Sequence, residues 1–89
     1  MTKIFMYTIS TDPWCQMAKK FFRDKNIPFK YVDYDLVEEK EQKKIVETML
    51  KCGDAATAFP YIKINGEVVV GYNPAMYSKL LRLDIQKWM

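Results

Sequence analysis

Apolar and polar positions along the 89-residue chain change period several times, and each change predicts an element. Residues 3–9, Lys3 to Ile9, are rich in β-branched and aromatic side chains, which predicts a buried strand. Thr11-Asp12-Pro13 then reads as a helix start, with Asp12 a good N-cap and Pro13 a good first helical residue. The helix is expected to run to about Lys25, with Trp14, Ala18, Phe21 and Phe22 on one face. Asn26 and Pro28 stop it. Phe29 to Tyr34 predicts a second strand, in which Phe29, Tyr31 and Asp33 alternate with Lys30, Val32 and Tyr34. Asp35 can cap a second helix over about residues 36–51, with Ile45, Val46, Met49 and Leu50 as its apolar positions and Gly53 as its stop. Asp54 to Phe59 reads as a loop, and Pro60 opens a third strand to Ile64. Asn65-Gly66 predicts a tight hairpin into Val68-Val69-Val70. Asn73-Pro74 starts a last helix, with Met76, Tyr77, Leu80 and Leu81 facing inward.

The resulting order is β-α-β-α-β-β-α. A helix crossing between the first two strands makes them parallel, and the hairpin makes the last two antiparallel. The expected fold is a four-stranded mixed sheet with helices on both faces, in one α/β domain spanning residues 1–89. Hydrophobic residues at 49% and aromatics at 15% supply a core and exclude disorder. Fourteen basic and eleven acidic residues give a net charge of +3, too balanced and too dispersed to point to nucleic acid. No apolar run approaches the roughly 20 residues of a bilayer span, and the first residues read as a strand rather than a signal peptide. The expected compartment is therefore the cytoplasm. Two cysteines, Cys15 and Cys52, do not make a disulfide scaffold there. The absence of histidine removes the commonest general base and metal ligand; no metal or other cofactor is expected.

Four landmarks, in this order and spacing, resemble the glutaredoxin branch of the thioredoxin fold. Tyr7 to Cys15 looks like the strand and active-site turn that end in C-P-[Y/W]-C; Asn26-Ile27-Pro28-Phe29 looks like the entry to the second strand. Ala58-Phe59-Pro60 sits where the family has T-V-P with a cis proline, and Asn65-Gly66 followed by Gly71-Tyr72 matches the hairpin and the glycine turn. The resemblance implies a thiol–disulfide oxidoreductase of cell redox homeostasis and electron transport. Such a reductase needs a thiolate at an exposed helix N-terminus, and a second cysteine resolves the mixed disulfide. Here Asp12 stands at the nucleophile position and Cys15 at the resolving one, so the two-thiol cycle is lacking. The monothiol branch keeps the first cysteine and uses it for an iron–sulfur cluster, so cluster carriage is disfavoured as well.

Asp12 therefore reads as an N-cap, as a proton handler for Cys15, or as a change introduced to silence the site, for which serine or alanine would be closer in size to cysteine. Cys15 is either an inert buried thiol or a surviving reactive one, and Cys52 reads as a small apolar residue. Glutathione is expected to bind weakly or not at all, because the family's clamp positions read Ile9, Ala55-Ala56-Thr57 and Gly71-Tyr72-Asn73-Pro74. Gly71 to Met76 looks more like the turn of redoxins that serve ribonucleotide reductase, which implies a thioredoxin reductase as electron donor. Candidate binding residues are Pro13, Trp14, Phe59, Pro60, Gly71 and Tyr72. Trp14, Phe59, Tyr61 and Tyr72 offer an aromatic rim for protein thiols, disulfides or an extended peptide. Two functions stay open: a glutaredoxin-like oxidoreductase of altered activity, or a redox-inactive binding module.

Overall fold

The computed structural model describes residues 2–51 and 58–86. Its elements follow the order β1 (Ile4–Thr8), α1 (Pro13–Asp24), β2 (Lys30–Asp33), a short 3-10 turn (Tyr34–Leu36), α2 (Glu39–Lys51), β3 (Tyr61–Ile64), β4 (Glu67–Val70) and α3 (Pro74–Gln86). The four strands form one mixed sheet in the order β2-β1-β3-β4, with β1 and β2 parallel and the other pairs antiparallel. This is the thioredoxin-like α/β fold.

Strand alternation divides the core in two. Ile4 and Met6 of β1 and Ile62 and Ile64 of β3 point to the face covered by Ala18 and Phe22 of α1 and Tyr77 and Leu81 of α3. On the opposite face Tyr61, Tyr7, Val32, Val68 and Val70 pack beneath Ile45 and Met49 of α2. The helix ends follow from local chemistry. Asn26 has φ 57°, and its N–H donates to the Arg23 carbonyl while Ile27 N–H donates to the Phe22 carbonyl. That pair of bonds is a Schellman closure, which asparagine tolerates better than most residues. At the hairpin Asn65 and Gly66 both have positive φ, as a type I′ turn requires. Asn65 also holds the start of β1, accepting from Lys3 N–H through Oδ1 at 2.8 Å while its own N–H donates to the Lys3 carbonyl at 2.8 Å.

Several sequence expectations are corrected. The α1 face that enters the core is Cys15, Ala18, Lys19 and Phe22, whereas Trp14 is 56% exposed. Helix α2 starts at Glu39, because Tyr34–Leu36 form the separate 3-10 turn, and the Asp35 carboxylate bonds Ser10 instead of capping α2. Leu50, counted among the apolar positions of the second helix, and Met76, expected to face inward, are exposed. Gly53, Cys52 and Ala55-Ala56-Thr57 lie outside the described residues.

Candidate functional site

The loop between β1 and α1 is built by side chains that occupy its own backbone groups. Asp12 N–H closes a turn onto the Ile9 carbonyl at 3.1 Å. Asp12 has extended dihedrals and its Oδ1 accepts from Trp14 N–H at 2.8 Å, which satisfies one of the unpaired donors at the helix start. Pro13 occupies the first turn, where its missing N–H costs nothing. Ser10 is held from two sides: its N–H and hydroxyl donate to the Asp35 carboxylate, and Gln16 Nε2 donates to its carbonyl at 2.7 Å. Those two Ser10 bonds hold the Asp35 carboxyl below its ordinary range.

Cys15 follows within the first turn of α1, and its side chain points into the protein. It has no exposed surface, and its Sγ accepts from Ile9 N–H at 3.3 Å. Burial pushes the thiol pKa up. The Ile9 bond and the Lys19 ammonium act against that rise, and the Asp12 carboxylate adds to it. Neutral thiol is therefore the favoured form at pH 7, the reverse of what a nucleophilic cysteine needs.

Beside the loop, the indole of Trp14 lies 5.9 Å from the Tyr72 ring, centroid to centroid. Tyr72 is presented by the turn at Gly71, whose φ of 89° suits glycine. Gly71 N–H donates to the Pro60 carbonyl at 2.8 Å, and its own carbonyl accepts from the Tyr77 hydroxyl. The Phe59–Pro60 peptide is cis, and Pro60 immediately precedes Tyr61, which pairs with Tyr7. Strand register thus brings Pro60 and Gly71 to the end of the sheet at which α1 begins. Phe59 is half-buried, its ring 5.1 Å from that of Tyr34. Tyr61 is 1% exposed and belongs to the core, so it leaves the expected aromatic rim.

A neighbouring polar group was not singled out in the sequence. Lys19, one turn beyond Cys15, is 4% exposed and its Nζ lies 3.0 Å from Asp33 Oδ1 and 4.1 Å from the centre of the Tyr31 ring. Thr8, fully buried at the end of β1, donates to the same Asp33 oxygen at 2.6 Å. A lysine at four-residue spacing from Cys15 was the available signal, together with an aspartate closing β2.

The glutaredoxin family model matches residues 4–69, which include β1, the α1 start and the cis proline. The chain belongs to the glutaredoxin family. A glutaredoxin-like 8.6 kDa protein in the rubredoxin operon of Clostridium pasteurianum is 31% identical over 78 residues, covering 88% of this chain and 96% of that protein. Methanoredoxin of Methanosarcina acetivorans superposes with a TM-score of 0.79 at 32% identity, over 89% of this chain and 83% of that one. A glutaredoxin of Archaeoglobus fulgidus gives 0.81 at 27% identity, over 92% and 88%. Like a typical family member, this glutaredoxin-like chain presents a helix N-terminus, a cis proline and a glycine turn at one sheet end. Among its described residues no helix is long and apolar enough to cross a membrane.

Proposed function

We propose that this glutaredoxin-like chain serves cytoplasmic thiol–disulfide redox biology as a docking protein, with Asp12 in the place of the family's attacking cysteine. The observation that carries the reading is Cys15, which is fully buried, bonded to Ile9 N–H and raised in pKa by its burial. Attack on a disulfide needs an accessible thiolate, and a carboxylate at the helix start cannot replace it. Beside Pro60, the Phe59 backbone and the Trp14–Tyr72 pair suit an extended segment of a protein thiol or disulfide partner. A thioredoxin reductase fits this description as a partner better than glutathione does. Ile9 carries no charge for the tripeptide, and Lys19 is already paired with Asp33.

The test is reduction of insulin with either glutathione or thioredoxin reductase as electron source. The native chain is expected to stay at background, and Asp12→Cys to gain activity on the intact scaffold. Strong reduction by the native chain would overturn the reading. A second reading, altered oxidoreductase activity through Cys15 alone, is favoured by Lys19 and Ile9 N–H, which both draw the thiol pKa down. Its mark is rapid alkylation of Cys15 at neutral pH in a Cys52→Ser background.

A further inference from the structure

Away from the α1 start, the face of the sheet beneath α2 is only partly covered. Helix α2 packs over Tyr7, Val32, Tyr61 and Val70, one row across the four strands. The next row lies nearer the Asn65-Gly66 hairpin and reads Lys30, Phe5, Lys63 and Val68, since Phe5 pairs with both lysines and Lys63 pairs with Val68. Paired residues share a face, so Phe5 sits between two lysine stems. The Cα atoms of those lysines are two strand spacings, about 10 Å, apart. Lys3 lies just before β1, two residues before Phe5, and is fixed by its two backbone bonds to Asn65.

A groove of about 650 Å³ opens at this end of the sheet, bordered by Lys3, Phe5, Lys30 and Lys63 from this face, by Phe29 from the α1–α3 side, and by no acidic residue. None of the ion pairs among the described residues uses these three lysines. Its volume lies in the range of small-molecule sites. Its chemistry is an aromatic floor with ammonium groups around it, on stems that can lie along apolar surface while the charges remain in water.

We propose that this groove is a binding site for an amphipathic organic anion, a flat apolar body that rests on Phe5 and carries an acidic group held by Lys3, Lys30 and Lys63. The charge complementarity of three lysines that enter no ion pair among the described residues selects the anion, and the Phe5 ring selects the apolar body. The site lies at the opposite end of the sheet from Asp12 and Cys15, so it stands whether or not the docking function does.

The experiment titrates the full chain with 8-anilinonaphthalene-1-sulfonate, and in parallel with the uncharged N-phenyl-1-naphthylamine, while amide shifts are followed by NMR. The expected result is saturable binding of the sulfonate, with shifts centred on Lys3 to Phe5 and Lys63 to Gly66. Replacing both strand lysines (Lys30→Gln with Lys63→Gln) is expected to weaken the sulfonate about fivefold to tenfold and to leave the uncharged probe unchanged. Glutamine keeps most of each stem, and both positions lie outside the hydrophobic core. The proposal is overturned by shifts centred on Trp14 and Tyr72, by equal affinity for the two probes, or by no saturable binding.

Discussion

Replacing Asp12 by alanine removes two contributions at once: the acceptor of Trp14 N–H at 2.8 Å and a negative charge at the positive end of α1. A side-chain cap contributes about 1 kcal/mol, and a charge in the field of a helix end about 0.3–1 kcal/mol. The alanine variant should therefore lose about 1.5 kcal/mol. Asp12→Asn keeps a capping oxygen and gives up only the charge, for a loss of about 0.5 kcal/mol. For a domain of this size the alanine loss lowers the urea midpoint by about 1 M and Tm by about 6–12 °C. Both variants act on Cys15 in the opposite sense. The Asp12 carboxylate raises the Cys15 pKa through its charge and a side-chain hydrogen bond, so removing it lowers that pKa, although burial, the largest cause, persists. The assay pairs urea unfolding with iodoacetamide labelling across about pH 6–10, around the ordinary thiol range, in a Cys52→Ser background so that only one thiol reports. Equal stability of the alanine and asparagine variants refutes the cap, as does an alanine variant as stable as the parent. An unchanged labelling profile in both refutes the electrostatic link between Asp12 and Cys15.

The remaining predictions concern the supports of the site. Lys19→Met should cost about 3 kcal/mol by leaving Asp33 with Thr8 as its partner; adding Asp33→Asn should recover part of it, and a simple sum of losses in that double variant would argue against a coupled pair. Phe22→Ala should cost about 3–5 kcal/mol, because the ring is fully buried between Phe21 and Tyr77. That loss takes much of a stability of about 5–10 kcal/mol, and a urea midpoint near the parent's would contradict it. The Ser10 bonds hold the Asp35 pKa down, so their contribution is complete above the ordinary carboxylate pKa and is lost as pH falls through the lower folded value. The Ser10 amide shift should follow that lower midpoint, and a midpoint at the ordinary value counts against the tether. Tyr77, pushed up to about 12 by burial, gives the opposite sign. Its contribution is complete below the unfolded value near 10 and is lost as pH rises towards 12, so the ultraviolet difference titration between the parent and Tyr77→Phe should place the Tyr77 phenol above the ordinary value.

How legible each part of the fold was depended on whether its signal was local. Asn65-Gly66 carried the hairpin because both residues accept positive φ, and the structure uses both in that way. Asp12-Pro13 fixed the α1 start because capping involves only neighbouring residues. The start of α2 was misplaced for the converse reason. Asp35 is a good cap by type, but Ser10, twenty-five positions away, claims its carboxylate. The chain instead makes a 3-10 turn and begins α2 at Glu39. Tyr61 was assigned to the rim by its aromatic character, yet its strand position turns it under α2 beside Ile45 and Met49.

The same distinction explains the site. Choosing the inner face of α1 by hydrophobicity alone selects Trp14 and passes over Lys19. The face that packs is Cys15, Ala18, Lys19 and Phe22, the i, i+3, i+4, i+7 spacing rotated by one residue. A lysine can occupy it because Asp33 and the Tyr31 ring receive its charge, and both arrive from β2 rather than from α1. Once that rotation is set, two consequences follow together. Trp14 is carried outward until its indole meets Tyr72, and the Cys15 sulfur is carried inward under Ile9 N–H. The residue that looked most like core becomes rim, and the residue that looked most like chemistry becomes core. An Asp12→Cys chain would inherit the same rotation, so its new thiol at the capping position, rather than Cys15, is the one placed to meet a disulfide.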